Sequence, residues 1–122
     1  MVEVRTTDFP GVTILVPTRF MDSRGFFVET YRRSAYEAAG VGAGFVQDNH
    51  SCSLRSGTVR GLHFQRRPQA QDKLVMVIRG SILDVVVDVR PGSASFGRAI
   101  TVPLDAAGGH QLFIPALSLI HI

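Results

Sequence analysis

The sequence predicts an all-β, antiparallel sandwich or barrel that carries a single short helix. Three observations lead there. Apolar residues gather in many short runs of strand length, nearly every run is bounded by glycine or proline, and only one stretch carries helix start and stop signals. The 122 residues suffice for one domain with one core and little to spare.

Taken in order, Val12–Val16 reads as a strand ended by Pro17, and Phe26–Tyr31 as a second strand after the turn Asp22-Ser23-Arg24-Gly25. Ser34 and Glu37 have capping-box spacing and Gly40 is a stop, giving one helix through Tyr36 and Ala39. Phe45–Ser53 reads as a strand bearing Gln47, Asp48, Asn49 and His50, which line a pocket or form the outer face of a sheet. After a turn at Gly57, Val59–Gln65 is an apolar-rich strand; a polar loop broken by Pro68 leads to another, Lys73–Arg79, stopped by Gly80. Ser81–Val89 alternates Leu83, Val85, Val87 and Val89 with Asp84, Val86 and Asp88, as a half-buried strand does. Asp84 then faces either the cavity of His63 or water. Arg98–Val102 and Gln111–Ile114 supply two further strands around the turn Ala106-Ala107-Gly108-Gly109. There is no internal repeat and no low-complexity tract.

Composition excludes several classes. A net charge of +3 with scattered arginines, apart from the pairs Arg32-Arg33 and Arg66-Arg67, does not indicate nucleic-acid binding. Cys52 is the only cysteine, which fits a reducing compartment. The first residues lack the apolar run of a signal peptide, and no segment approaches the roughly 20 apolar residues of a membrane span. A soluble, cytoplasmic chain without membrane contact is expected.

The densest chemistry lies between Gly57 and Gly80. His63 and Gln65 share one face of their strand, while Arg60 points away unless a bulge at Gly61 re-aims it. An imidazole titrates near neutrality and can act as a base. A neighbouring ammonium and guanidinium can hold a phosphate, or the enolate formed when a proton leaves the carbon beside a carbonyl. Lys73 is the only lysine, against twelve arginines, so a compact point charge on a flexible stem is singled out there. The bland alternatives are a structural histidine at His63 and a solvated strand end at Lys73.

The spacing of Gly57 and His63, and of Lys73 and Gly80, resembles the first motif of the cupin superfamily, with Gln65 in place of the second histidine and Lys73 in place of the glutamate. An ammonium where a divalent cation would sit argues against a metal. The resemblance implies a cupin-type antiparallel jelly-roll barrel with no metal and no cofactor.

Six segments together resemble the dTDP-4-dehydrorhamnose 3,5-epimerase family, metal-free cupins of nucleotide-sugar biosynthesis. They are Asp22 to Glu29, Phe45 to Ser51, Val59 to Gln65, Lys73 to Val75, Gly80 to Asp88 and Ser95 to Gly97. The resemblance implies epimerisation of a dTDP-4-keto-6-deoxyhexose at C3 and C5. His63 would be the base, Lys73 would stabilise the enolate oxygen, and Arg60 would bind substrate beside it. Gln47 and Asn49 match contacts to the nucleotide-sugar. Arg24, Phe27 and Glu29 match a segment that one subunit lends to its partner's site, which implies a homodimer. The alternatives are a noncatalytic nucleotide-sugar-binding barrel, a relative restricted to one carbon, and a ketoisomerase on the same scaffold.

The resemblance breaks after Leu112-Phe113-Ile114-Pro115, where the family continues with a Gly-Phe-Ala-His-Gly-Phe pattern and this chain reads Ala116-Leu117-Ser118-Leu119-Ile120-His121-Ile122. Leu-Ser-Leu-Ile-His-Ile is what CTG TCT CTT ATA CAC ATC encodes, a transposon end used in preparing sequencing libraries. Residues 117–122 are therefore expected to be adapter-derived, and residues 1–116 the N-terminal portion of a single cupin domain that is incomplete at its C-terminus. The family's proton-donating tyrosine, and the aspartate that orients its histidine, would lie beyond. Tyr31 and Tyr36 occupy the wrong segments to substitute, so the chain alone is expected not to turn over and to be poorly soluble or partly folded.

Overall fold

The computed structural model describes residues 2–42, 44–64, 70–116 and, as backbone alone, 118–121. Nine strands and one helix are found among them: β1 (Val2–Thr6), β2 (Thr13–Pro17), β3 (Arg19–Asp22), β4 (Gly25–Val28), α1 (Arg33–Ala38), β5 (Lys73–Met76), β6 (Ser81–Asp88), β7 (Ala99–Asp105), β8 (Gln111–Ile114) and β9 (Ser118–His121). All pairings are antiparallel. They form a four-stranded sheet in the order β1-β2-β8-β5, a three-stranded sheet β7-β6-β9 and a separate ribbon β3-β4. The architecture is the expected one, mostly strands with one short helix, and the sheets do not close into a barrel among the described residues. The segment expected to be foreign to the fold runs along β6, with Ser118 opposite Asp88 and His121 opposite Val85.

The layering follows from β8, whose four residues are all buried. Side chains alternate across a strand. Leu112 and Ile114 enter one cluster with Phe9, Val12, Val86, Val102 and Leu104, between the two larger sheets. Phe113 enters another with Leu15, Tyr36 and Val41, beneath α1. Helix, four-stranded sheet and three-stranded sheet thus stack as three layers, and β8 belongs to both cores. Its edges are occupied too: Leu112 pairs with Ile14 of β2 and with Val75 of β5. Lys73 is thereby registered opposite Ile114.

The helix sits where the sequence places it, with a different start. Arg32 is the N-cap and its side chain makes no capping bond; Ser34 lies inside the helix, so the expected capping box is absent. Glu37 instead pairs with Arg33 at 2.9 Å on the exposed face. Tertiary packing sets this register. The Tyr36 ring is fully buried, and its hydroxyl stands 2.6 Å from Gln111 Oε1 and 2.7 Å from the Thr30 carbonyl, which also accepts from Gln111 Nε2 at 2.8 Å. Gly40, at φ 92°, ends the helix as expected.

Two segments read as strands carry no regular ladder. Residues 44–53 are irregular, and in 57–64 only His63 makes an isolated bridge. Gly61 adopts φ 113°, but with no ladder around it there is no bulge of the expected kind. The strand read over Lys73–Arg79 stops at Met76, and the one read over Phe26–Tyr31 stops at Val28. Three strands lie outside the runs that the sequence marks as strands: β1, β3 and β9. Gln65, Arg66, Arg67 and Pro68 lie outside the described residues.

On β6 the structure decides between the two faces. Asp84, Val86 and Asp88 are buried while Leu83 is exposed. Asp88 is accommodated by pairing: its carboxylate accepts from Arg90 Nε and Nη2 at 3.0 Å, the Arg90 amide at 2.9 Å, Ser93 Oγ at 2.6 Å and Ser95 Oγ. Arg90 reaches on to the Pro10 carbonyl at 2.6 Å and ties the β1–β2 loop to the end of β6. The guanidinium and the two hydroxyls hold the Asp88 carboxyl well below the usual carboxylate range. A depressed pKa contributes stability above the unfolded value near 3.8 that is lost as pH falls. Asp88→Asn is expected to lower the unfolding free energy by about 3 kcal/mol at pH 7, with the difference from wild type shrinking below pH 4; urea denaturation across pH measures it, and equal stability at pH 7 would contradict it.

Candidate active site

Lys73 opens β5 and is half-buried, held in place by the pairing with β8. Across the inter-sheet space, Asp84 comes from the inward face of β6 and is fully buried, and neither carboxyl oxygen has a hydrogen-bond partner among the described residues. Burial pushes its carboxyl up to about 7; the neighbouring Val85 amide, which falls short of a proper hydrogen bond, and the Lys73 charge offset that only in part. No ion pair joins the two side chains, so Lys73 acts on Asp84 through space. Sequence reasoning left Asp84 undecided between cavity and water, and the structure puts it inside. Its signal was alternation with Val86, a residue of the main core.

The other sequence-derived residues fall into two groups. His63 is exposed in the irregular segment that follows Gly61. Arg60, also exposed, donates from Nε to Ser53 Oγ at 3.1 Å and from Nη2 to the Cys52 carbonyl at 3.3 Å. Those bonds tie the His63 segment to the strip that carries Gln47 and Asn49, whose side chains meet at 3.2 Å. Arg60, His63, Gln47 and Asn49 therefore belong to two tethered stretches of chain, while Lys73 and Asp84 lie on strands β5 and β6.

Arg24, Phe27 and Glu29 stand apart. Arg24, at the tip of the β3–β4 ribbon, pairs with Asp22 at 2.6 Å, and Glu29 pairs with Arg32 at 2.9 Å. No hydrogen bond or ion pair links them to His63 or Lys73 among the described residues. At its base the ribbon is fastened by Arg19, which donates to the carbonyls of Ala107 and Ala106, both at 2.8 Å, and lies 4.2 Å over the Phe26 ring. Gly109 lies directly beneath that guanidinium, where a Cβ would collide with it. The rest of the ribbon projects, with Phe20, Met21, Phe26 and Phe27 all more than half exposed. A hollow of ≈ 380 Å³ lies on it, lined by Phe20, Met21, Arg24 and Phe27 among others and by none of Arg60, His63 or Lys73.

Both tyrosines are engaged elsewhere. The Tyr36 hydroxyl is buried against Gln111 and Thr30, and the Tyr31 ring packs on Tyr36 and Phe45 at 5.0 and 5.6 Å. Among the described residues no three His, Cys, Asp or Glu side chains gather as a metal site. No helix among the described residues is long and apolar enough to cross a membrane. The groups available are an exposed imidazole, an exposed guanidinium, and a half-buried ammonium whose charge reaches a buried carboxyl.

Stacked antiparallel sheets of short strands with one short helix define a cupin-type jelly-roll protein. The sequence profile described as dTDP-4-dehydrorhamnose 3,5-epimerase matches residues 6–119. The Escherichia coli (strain K12) protein of that name is 50% identical over 110 residues, 89% of this chain and 59% of its own length. The crystal structure of the Bacillus anthracis str. Ames enzyme of that name, with TDP and PPi bound, superposes with a TM-score of 0.96 at 42% identity, covering 99% of this chain and 69% of that one. A dTDP-6-deoxy-D-glucose-3,5-epimerase from Legionella pneumophila Philadelphia 1, in complex with dTDP-4-keto-L-rhamnose, superposes with a TM-score of 0.91 at 36% identity, covering 99% of this chain and 64% of that one. The chain belongs to the dTDP-4-dehydrorhamnose 3,5-epimerase family. It spans about three fifths of the length of the Escherichia coli relative.

Proposed function

We propose that this chain carries the base and the cation of an epimerase acting on a dTDP-4-keto-6-deoxyhexose in dTDP-rhamnose-like biosynthesis. The observation that carries the reading is the placement of the sole lysine, half-buried and registered by β8 at the head of β5, in a chain that otherwise uses arginine. His63 removes the proton from the carbon beside the C4 ketone. The electron pair of that C–H bond moves into the carbonyl, and the resulting enolate oxygen is opposed by the Lys73 ammonium. Arg60 binds the substrate beside them, and Gln47 and Asn49 hold the nucleotide-sugar. The dTDP-4-keto-L-rhamnose bound by the Legionella relative supports this substrate class.

Proton removal and return on one face need only the base and the cation. Inversion needs an acid on the opposite face, and neither Tyr31 nor Tyr36 is placed to supply it. Incubation with a dTDP-4-keto-6-deoxyhexose in heavy water, with deuterium located by NMR, separates the readings. Deuterium at C3, C5 or both is expected, falling at least about 100-fold in His63→Ala and markedly in Lys73→Gln. Label at one carbon alone marks a monoepimerase, and a migrated carbonyl marks a ketoisomerase. The exposure of His63 favours one competing reading, a noncatalytic binding barrel; nucleotide-sugar binding with no exchange would establish it.

The ribbon supports a homodimer, and the proposed biosynthetic role fits a cytoplasmic location. A two-stranded ribbon is marginal on its own, and this one leaves four large apolar side chains uncovered. Arg24, Phe27 and Glu29 are carried to the partner's site by it. Sedimentation velocity is expected to give a dimer that Phe27→Glu shifts to monomer; an unchanged sedimentation coefficient would contradict the assignment.

A further inference from the structure

The carboxyl of Asp84 is the least accounted-for group in the molecule. It is fully buried on the core-facing side of β6, between Val86 of the main cluster and the outer end of the strand, and among the described residues neither of its oxygens has a hydrogen-bond partner. Such a group costs stability unless something offsets it. The companion carboxyl on the same face, Asp88, shows what offsetting looks like here: a guanidinium and two hydroxyls surround it. Asp84 has nothing comparable, and among the described residues Lys73 is the one charged side chain that acts on it. An apolar residue of similar volume would serve packing better. A position that forgoes that gain points to function.

We propose that Asp84 is a positioning residue that acts through Lys73, drawing the ammonium toward the inter-sheet space so that its charge is fixed before substrate arrives. Lysine has a long flexible stem with large rotamer freedom, and the β-ladder fixes only its backbone. An anion set deep behind it confines the head group without closing an ion pair, leaving the ammonium's donors for an incoming oxygen. The inference rests on the reading of Lys73 as the group that stabilises an enolate, and it adds the residue that aims it.

The sole lysine makes the test direct, because the chain labelled with [ε-¹³C]lysine gives one side-chain resonance. His63 and Asp72 are the other titratable groups near Lys73 along the chain, and Asp72 is engaged by the Ala116 amide at 2.6 Å. The titration is therefore run in a His63→Ala background, so that no imidazole at that position contributes. The Lys73 resonance is expected to show a step centred near pH 7 as Asp84 ionises, to lose it in Asp84→Asn and to regain one in Asp84→Glu.

Stability supplies the second readout. A carboxyl whose folded pKa is raised favours the native state at low pH, an advantage lost as pH rises through about 7. Asp84→Asn is thus expected to raise Tm by several degrees at pH 8, on the order of 5 °C, with the gain shrinking as pH falls below about 7 and disappearing only below the unfolded value of 3.8. Identical Lys73 titrations in the two proteins, or a Tm lowered by Asp84→Asn at pH 8, would overturn the proposal. Neither readout requires turnover, so an absence of deuterium exchange overturns the reading of the reaction and leaves the link between Asp84 and Lys73 to be judged by itself.

Discussion

The burial of all four residues of β8 is the constraint on which the rest depends. A strand with both faces covered and both edges paired has one register that satisfies everything at once, because a slip by one residue would exchange Leu112 and Ile114 with Gln111 and Phe113. Gln111 can stand on the helix side because Tyr36 and Thr30 meet its amide there. Moved into the main cluster, that amide would be stranded among valines and leucines. The same register fixes β5 and therefore the base of Lys73. Fold and site share this interaction: what anchors the helix also sets where the single ammonium emerges.

The two aspartates of β6 show how one strand serves structure and chemistry together. They lie on the same buried face, four residues apart. Asp88 has its charge fully met, and its carboxyl is held ionised at the mouth of the β6–β7 connection. Asp84 is left without partners, and burial makes its ionisation hard. The opposite directions of the two pKa shifts come from neighbours alone, since the residue type, strand and face are common to both. Structural need explains the first; the proposed positioning of Lys73 accounts for the second.

Much of this was legible in the sequence because periodicity and turn chemistry are local. β2, β6, β8 and the Asp22–Gly25 turn followed from apolar runs and from glycine placement. The helix was found, but its start was misread, since the Ser34 and Glu37 spacing is a local preference and the burial of Tyr36 against β8 overrode it. The stretches around Phe45–Ser53 and Val59–Gln65 have strand composition, yet a strand requires a partner, and among the described residues they have none beyond the bridge at His63. β1 was missed for the converse reason. Its alternation of Val2, Glu3, Val4 and Arg5 lies at an exposed edge with little apolar signal, and only the ladder with β2 makes it a strand.

The candidate site was legible residue by residue and much less so as a geometry. His63, Arg60 and Lys73 stood out by type and spacing, whereas the burial of Asp84 depended on which face of β6 turned inward. Valines stand on both faces, Val85, Val87 and Val89 on one and Val86 on the other, so alternation alone did not decide it. The most direct test of the site is a crystal structure of the chain with a dTDP-4-keto-6-deoxyhexose bound. The expected result is a sugar ring seated with its C4 oxygen toward the Lys73 ammonium and the His63 imidazole against the neighbouring C–H; a sugar bound on the outer face of either sheet, with Lys73 and His63 both clear of it, would contradict the central claim.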